Sequence, residues 1–191
     1  YVSSGAELDF NGYTISPADR LYLAGTGISS GGALVNSSAT SVSYTGDIVL
    51  QAASSINTTG DILSSGNVTG AFDLTKIGTG VLTIGGANTY SGITYVNEGT
   101  LKCNTATALG SNAGGTVVAG GAVLDLNGKT LTNADALTLN GTGISGSGAL
   151  ENSEATAVTY NGAITLASAS SISTTGNITL GTAGISGGND L

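Results

Sequence analysis

The sequence predicts an all-β fold: a right-handed parallel β-helix with coils of about 20 residues and a roughly triangular section. Three observations lead there. Apolar residues recur in phased series about 20 residues apart, the sequence repeats itself at a longer offset, and the composition is that of a chain made of short strands and tight corners.

Composition sets the class. Only 8% of the 191 residues are charged, against roughly a quarter in ordinary globular chains. With 40% apolar residues the chain is not of the disordered type, which combines high charge with few apolar side chains. Helix formers such as Lys, Arg and Gln are nearly absent. The 32 glycines, with many Asn, Ser and Thr, are corner residues.

The short period gives the strands. Leu8, Ile28, Ile48 and Val68 form one series, Ile15, Leu34, Ile56 and Leu74 a second, and Leu21, Val42, Ile62 and Leu82 a third. Many of these points are alternating apolar pairs, such as Leu8/Phe10, Val42/Tyr44, Ile48/Leu50 and Leu82/Ile84. Alternation places one side chain inward and the next outward. Three short strands per coil make a solenoid in which each series becomes a ladder, and parallel crossovers favour the right hand. An antiparallel sandwich shares the local turn spacing but does not explain three phased ladders.

The long period gives the organisation. Val2 to Ile62 align without a gap onto Val118 to Ile178, an offset of 116. Gly25-Thr26-Gly27-Ile28-Ser29 returns as Gly141-Thr142-Gly143-Ile144-Ser145, and Asp9-Phe10-Asn11-Gly12 as Asp125-Leu126-Asn127-Gly128. The expectation is one continuous solenoid segment over 1–191, with a first copy at 1–116 and a partial second at 117–191. The chain begins at Tyr1, so it reads as an excerpt of a longer array. Neither end resembles a polar cap, so each is expected to be covered by further coils of the same chain or by another molecule stacked on it.

Composition also removes function classes. The formal charge is −8, with Arg20, Lys76, Lys102 and Lys129 as the four basic residues, so no nucleic-acid partner is expected. No apolar run is long enough to span a membrane. Cys103 is the one cysteine; alternation with Leu101 makes it a small buried hydrophobe. Enzymatic hydrolysis or elimination on a β-helix needs converging carboxylates with a base or cation beside them. Here the 12 acids are spread thinly and there is no histidine. Asp9/Asp125 and Asp19/Asp135 persist between copies, whereas Asp47 and Asp61 become Ala163 and Asn177. Asp9 precedes Asn11-Gly12 and reads as a turn residue. The calcium-binding solenoid signature is absent, and the Gly-Thr-Gly stretches at 78–80 and 141–143 lack the strand–helix setting of a phosphate loop. No catalytic, cofactor-binding or metal-ligating residue is assigned, and no enzyme is expected. The sequons at Asn36, Asn57, Asn67, Asn140 and Asn177 follow from composition alone.

One segment carries a specific resemblance. Leu74-Thr75-Lys76-Ile77-Gly78-Thr79-Gly80-Val81-Leu82-Thr83-Ile84 is followed by Gly85-Gly86-Ala87-Asn88-Thr89-Tyr90-Ser91-Gly92, then by Thr94, Val96 and Gly99-Thr100-Leu101. This resembles the passenger-associated strand repeat of bacterial autotransporters, with departures at Ile93 and at Glu98, where a small residue is commoner. The resemblance implies a passenger that crosses the outer membrane unfolded, coils up outside and is displayed on the bacterial surface or released. Contact with the membrane would then run only through a translocator elsewhere in the protein. Within the motif Leu82, Ile84, Val96 and Leu101 should point inward, and Gly78, Gly80, Gly85, Gly92 and Gly99 should sit at corners. Lys76 should be a solvated or corner-capping lysine rather than a ligand contact, Asn88 a turn residue bonding backbone groups, and Tyr90 a cover over a corner.

The functional expectation is a structural or adhesive shaft with a host-cell, surface or glycan ligand. The alternative is a self-associating extracellular filament or matrix protein joined end to end or laterally. A flat Thr-rich ice-binding face would need regular Thr-x-Thr pairs, which are not present.

Overall fold

The computed structural model describes residues 1–15, 19–133 and 135–191. Every strand pairing among them is parallel, and the strands are joined into a β-solenoid. Each coil visits three faces in turn. The first face stacks Leu8, Leu34, Ile56, Lys76, Val96, Val118 and Leu139 in register. The second is a seven-stranded ladder of Val42, Ile62, Leu82, Leu101, Leu124, Leu150 and Ile172. The third begins with Leu21, Ile48 and Val68. It continues through backbone hydrogen bonds from Thr89 to Val68, Ser111 to Tyr90 and Thr132 to Ala106.

The reason is alternation. In the second-face strands Val42–Tyr44 and Val81–Ile84 the inward residues are buried and the intervening ones are half-buried. Inward Leu34, Ile48, Leu82, Leu124 and Leu150 are all fully buried and belong to one apolar core that runs along the shaft. Each such side chain contributes about 1.5–3 kcal/mol by leaving water. Corners turn where the backbone enters the left-handed region, for example at Asn11 (φ 46°) and its counterpart Asn127 (φ 49°).

The expected ladders are corrected at their start. Leu8 stacks on Leu34 and Leu21 on Ile48, rather than Leu8 on Ile28 or Leu21 on Val42. Ile28 and Ile15 are exposed. The cause is uneven coil length. Successive rungs lie 20 residues apart from Val42 to Ile62 but 26 apart from Leu8 to Leu34 and from Leu124 to Leu150. The extra residues form protruding loops with a 3-10 turn at Ile28–Ser30 and at Ile144–Gly146.

The two sequence copies do not lie on the same faces. Five rungs above Leu8 on the first face stands Val118, whereas Leu124, the counterpart of Leu8, stands on the second face beside Leu101. Likewise Leu21 and Ile48 of the third face return as Leu137 and Ile164 on the first. Val42 and Ile62 of the second face return as Val158 and Ile178, which pair with each other in a separate two-stranded ladder outside the second face. One copy therefore spans five turns and a third, and the next copy is rotated by a third of a turn about the axis. The inward positions tolerate this because each face asks only for an apolar residue of similar volume at each rung.

Candidate functional site

The passenger-like motif runs through more than one full coil, and two of its stretches, around residues 76–80 and 97–99, stack at a corner between the first and second faces. Leu82, Ile84, Val96 and Leu101 point inward and are at most 1% exposed. Gly78 (φ 79°) and Gly99 (φ 63°) turn that corner. A Cβ on Gly99 would stand 2.4 Å from the Gly78 carbonyl oxygen and 2.9 Å from the Lys76 Nζ, so only glycine fits. Gly80, Gly85 and Gly92 keep ordinary φ; at Gly92 the constraint is space, a Cβ lying 2.1 Å from the Phe72 carbonyl carbon.

Lys76 is not solvated. It takes an inward rung between Ile56 and Val96 and is fully buried. Its ammonium curls to the corner and donates to the carbonyls of Ile77 (2.9 Å), Gly78 (2.6 Å) and Glu98 (2.9 Å). Corner capping, the other half of the expectation, is its role. Burial lowers its pKa from 10.5 to about 8, against the pull of Glu98 and Asp61. The Glu98 carboxylate accepts from the Gly78 N–H at 3.0 Å, so one residue holds this corner through both its carbonyl and its side chain.

Asn88 bonds backbone on three sides. Its Oδ1 accepts from the Val68 N–H, and its Nδ2 donates to the carbonyls of Gly85 and Ala108. Tyr90, on the third face, lies inside the shaft rather than over a corner: it is fully buried, with its hydroxyl 2.7 Å from the Thr94 Oγ1. Cys103 is buried, and desolvation raises its thiol pKa.

The retained acids are corner residues. Asp9 accepts from the Asn11 N–H and from the N–H and hydroxyl of Ser37. Asp125 does the same with Asn127 and Ser153, and adds an ion pair to Lys102 at 3.1 Å. The backbone carbonyls of Asp19 and Asp135 accept from the hydroxyls of Tyr44 and Tyr160. Asp135 is itself buried, both of its carboxylate oxygens lack a partner among the described residues, and desolvation raises its pKa to about 6. These acids sit at separate corners, and among the described residues no three His, Cys, Asp or Glu side chains converge as a metal site.

Outside the capped corner lies a groove of about 270 Å³. It is lined by Thr79, Asn97, Glu98 and Gly99 from the passenger-like motif, and by Gly120, Gly121 and Ile144, the last from the protruding loop of the second copy. Composition and spacing did not reveal this groove, because it forms across the seam between copies. The sequence signal that bore on it was Glu98, the departure from the motif.

With the geometry in hand, comparison with known proteins agrees. Residues 74–102 match the family model for the passenger-associated-transport-repeat. A stretch of 91 residues is 40% identical to the adhesin BmaC autotransporter of Brucella suis biovar 1 (strain 1330). The match covers 44% of this chain and 3% of that protein, so the chain corresponds to a small part of its relative. No solved structure matches the chain. The corner built by Lys76, Gly78, Glu98 and Gly99 thus lies within the stretch that matches the passenger-associated-transport-repeat, and that stretch is carried within a β-solenoid.

Proposed function

We propose that this chain is a stretch of the surface-displayed, adhesive shaft of an autotransporter-like protein, without catalytic activity. The observation that carries the proposal is the union of a β-solenoid with a stretch in its coils that matches a passenger repeat. The similarity to an adhesin supports the adhesive part of the reading. Parallel coils whose backbone groups pair along the axis give a stiff rod, and the low charge of the chain leaves its flanks to hydroxyls, amides and small apolar groups. Among the described residues the charged side chains buried in the core are Lys76, Asp125 and Asp135, and no three His, Cys, Asp or Glu side chains converge.

The test uses the full-length protein displayed on its own cells. Deletion of residues 1–191 should leave a shorter protein still exported and should lower the number of cells retained on host cells or matrix. Undiminished adhesion with normal export would overturn the adhesive reading. A loss of turnover of a polysaccharide, peptide or ester on the same deletion would overturn the non-catalytic one.

A further inference from the structure

We propose that the groove between Glu98 and Ile144 is a binding site for one neutral pyranose ring of a glycan; this rests on the adhesive reading above and gives it a ligand class. Three observations carry it. The first is the glycine lining. A Cβ on Gly120 would meet nothing within 4 Å, and Gly120 does not have a positive φ. Neither packing nor backbone conformation requires glycine there, and the first copy has Ser4 at the equivalent position. The bare backbone keeps the groove open.

The second is the chemistry of the walls. Glu98 and Asn97 are exposed side chains on one rim, with the Thr79 hydroxyl beside them. The Gly78 N–H at 3.0 Å fixes the Glu98 carboxylate in place, leaving it oriented to accept from further hydroxyls. Ile144, 40% exposed, adds an apolar surface to the same lining, against which the less polar face of a sugar ring can pack. A pyranose presents hydroxyls around its edge and an apolar patch on its face, which is the same division. Ligand cavities for drug-sized molecules run from about 300 to 1,000 Å³. A groove of about 270 Å³ suits a single ring rather than a peptide or a nucleotide.

The third is charge. The nearest ammonium, that of Lys76, is turned inward and used by three carbonyls, and the chain carries a net charge of −8. Uronic, sialic and sulfated sugars find no counter-charge here. A cationic amine would find one exposed carboxylate, and a solvent-exposed ion pair contributes little affinity. The neutral sugar is the class left with several directed contacts.

The experiment is saturation-transfer NMR on the 191-residue chain with methyl pyranosides of glucose, galactose and mannose, alongside glucuronate and putrescine. At least one neutral pyranoside should receive saturation, and its affinity should fall at least tenfold in Gly120→Trp, which fills the groove, and in Glu98→Gln. Asn97→Ala, which leaves the corner contacts of Glu98 untouched, should weaken it several-fold and guards against misfolding of the other variants. Glucuronate and putrescine should stay silent. Failure of every neutral pyranoside, binding indifferent to Gly120→Trp in a folded variant, or binding of putrescine instead would overturn the proposal. The two readings separate in the full-length protein. If Gly120→Trp abolishes sugar binding but leaves adhesion intact, the groove's link to adhesion is overturned while the shaft remains adhesive by another surface. If deleting residues 1–191 also leaves adhesion intact, it is the adhesive reading that fails.

Discussion

Replacing Lys76 by Met removes an ammonium from the core and keeps a long unbranched side chain in its place. Two effects oppose each other. Holding the ammonium in the fold depresses its pKa from 10.5 to about 8 through burial, which at about 1.4 kcal/mol per pH unit costs the folded state about 3 kcal/mol below pH 8. The ammonium donates to three carbonyls, each such bond stabilising the fold by about 1 kcal/mol net. The terms nearly cancel, so at pH 7 the stability of Lys76→Met should lie within about 1 kcal/mol of the parent. They separate on alkalinisation. Between pH 8 and 10.5 the unfolded chain holds the lysine proton and the folded chain does not, so the parent gains stability as pH rises, and Lys76→Met does not. Urea denaturation of both proteins at pH 7, 8.5 and 10 should show the difference moving in the parent's favour by about 2–3 kcal/mol. Titration of Tyr90 and Tyr160 affects both proteins and cancels in the difference. A difference independent of pH would refute the buried, depressed lysine. A loss above about 4 kcal/mol at pH 7 would show that the capping bonds dominate.

Three further outcomes follow from the core. Ile48→Asp or Leu34→Asp places an unpaired carboxylate on a fully buried rung and should cost more than about 4 kcal/mol and loosen several neighbouring coils in hydrogen exchange; near-parental stability would show the ladders to be wrongly phased. Asp135 binds its proton more tightly folded than unfolded, so it detracts from stability progressively as pH rises from 3.8 through about 6; Asp135→Asn should stabilise the protein at pH 7 and have little effect at pH 3.5, and destabilisation at pH 7 would contradict the unpartnered carboxylate. Cys103 should resist a thiol reagent in the native protein and react at once in denaturant, whereas stoichiometric native labelling would contradict its burial.

Much of this was legible in the sequence, and the remainder was hidden for physical reasons. The inward residues Leu82, Ile84, Val96 and Leu101 could be read because the coils between Val42 and Leu101 keep nearly constant length, so period and register agree. The early ladders could not, because a loop at Gly25–Gly32 lengthens its coil and carries Ile28, which falls on the 20-residue grid yet stands in solvent. The third-turn rotation between copies was invisible for the same reason: a sequence offset counts residues, while a face is decided by how many residues each corner consumes. Lys76 looked like a surface lysine because charge is a strong signal for exposure. Only the arrangement of the Ile77, Gly78 and Glu98 carbonyls around its tip shows why the core accepts it. The groove needed both copies folded against each other, and no local pattern encodes it.

The rotation of the copies is tested most directly by a distance between two spin labels. Thr75 and Thr165 face outward on the first face, linked rung by rung through Tyr95, Val117 and Thr138. Thr165 is the counterpart of Val49, which lies on the third face next to Tyr22. In a Cys103→Ser background, labels at Thr75→Cys and Thr165→Cys should be separated along the axis by four rungs, about 19 Å, in a single narrow distribution. If the copies stacked without rotation, Thr165 would share the face of Val49, and the distance would lengthen by a crossing of the shaft.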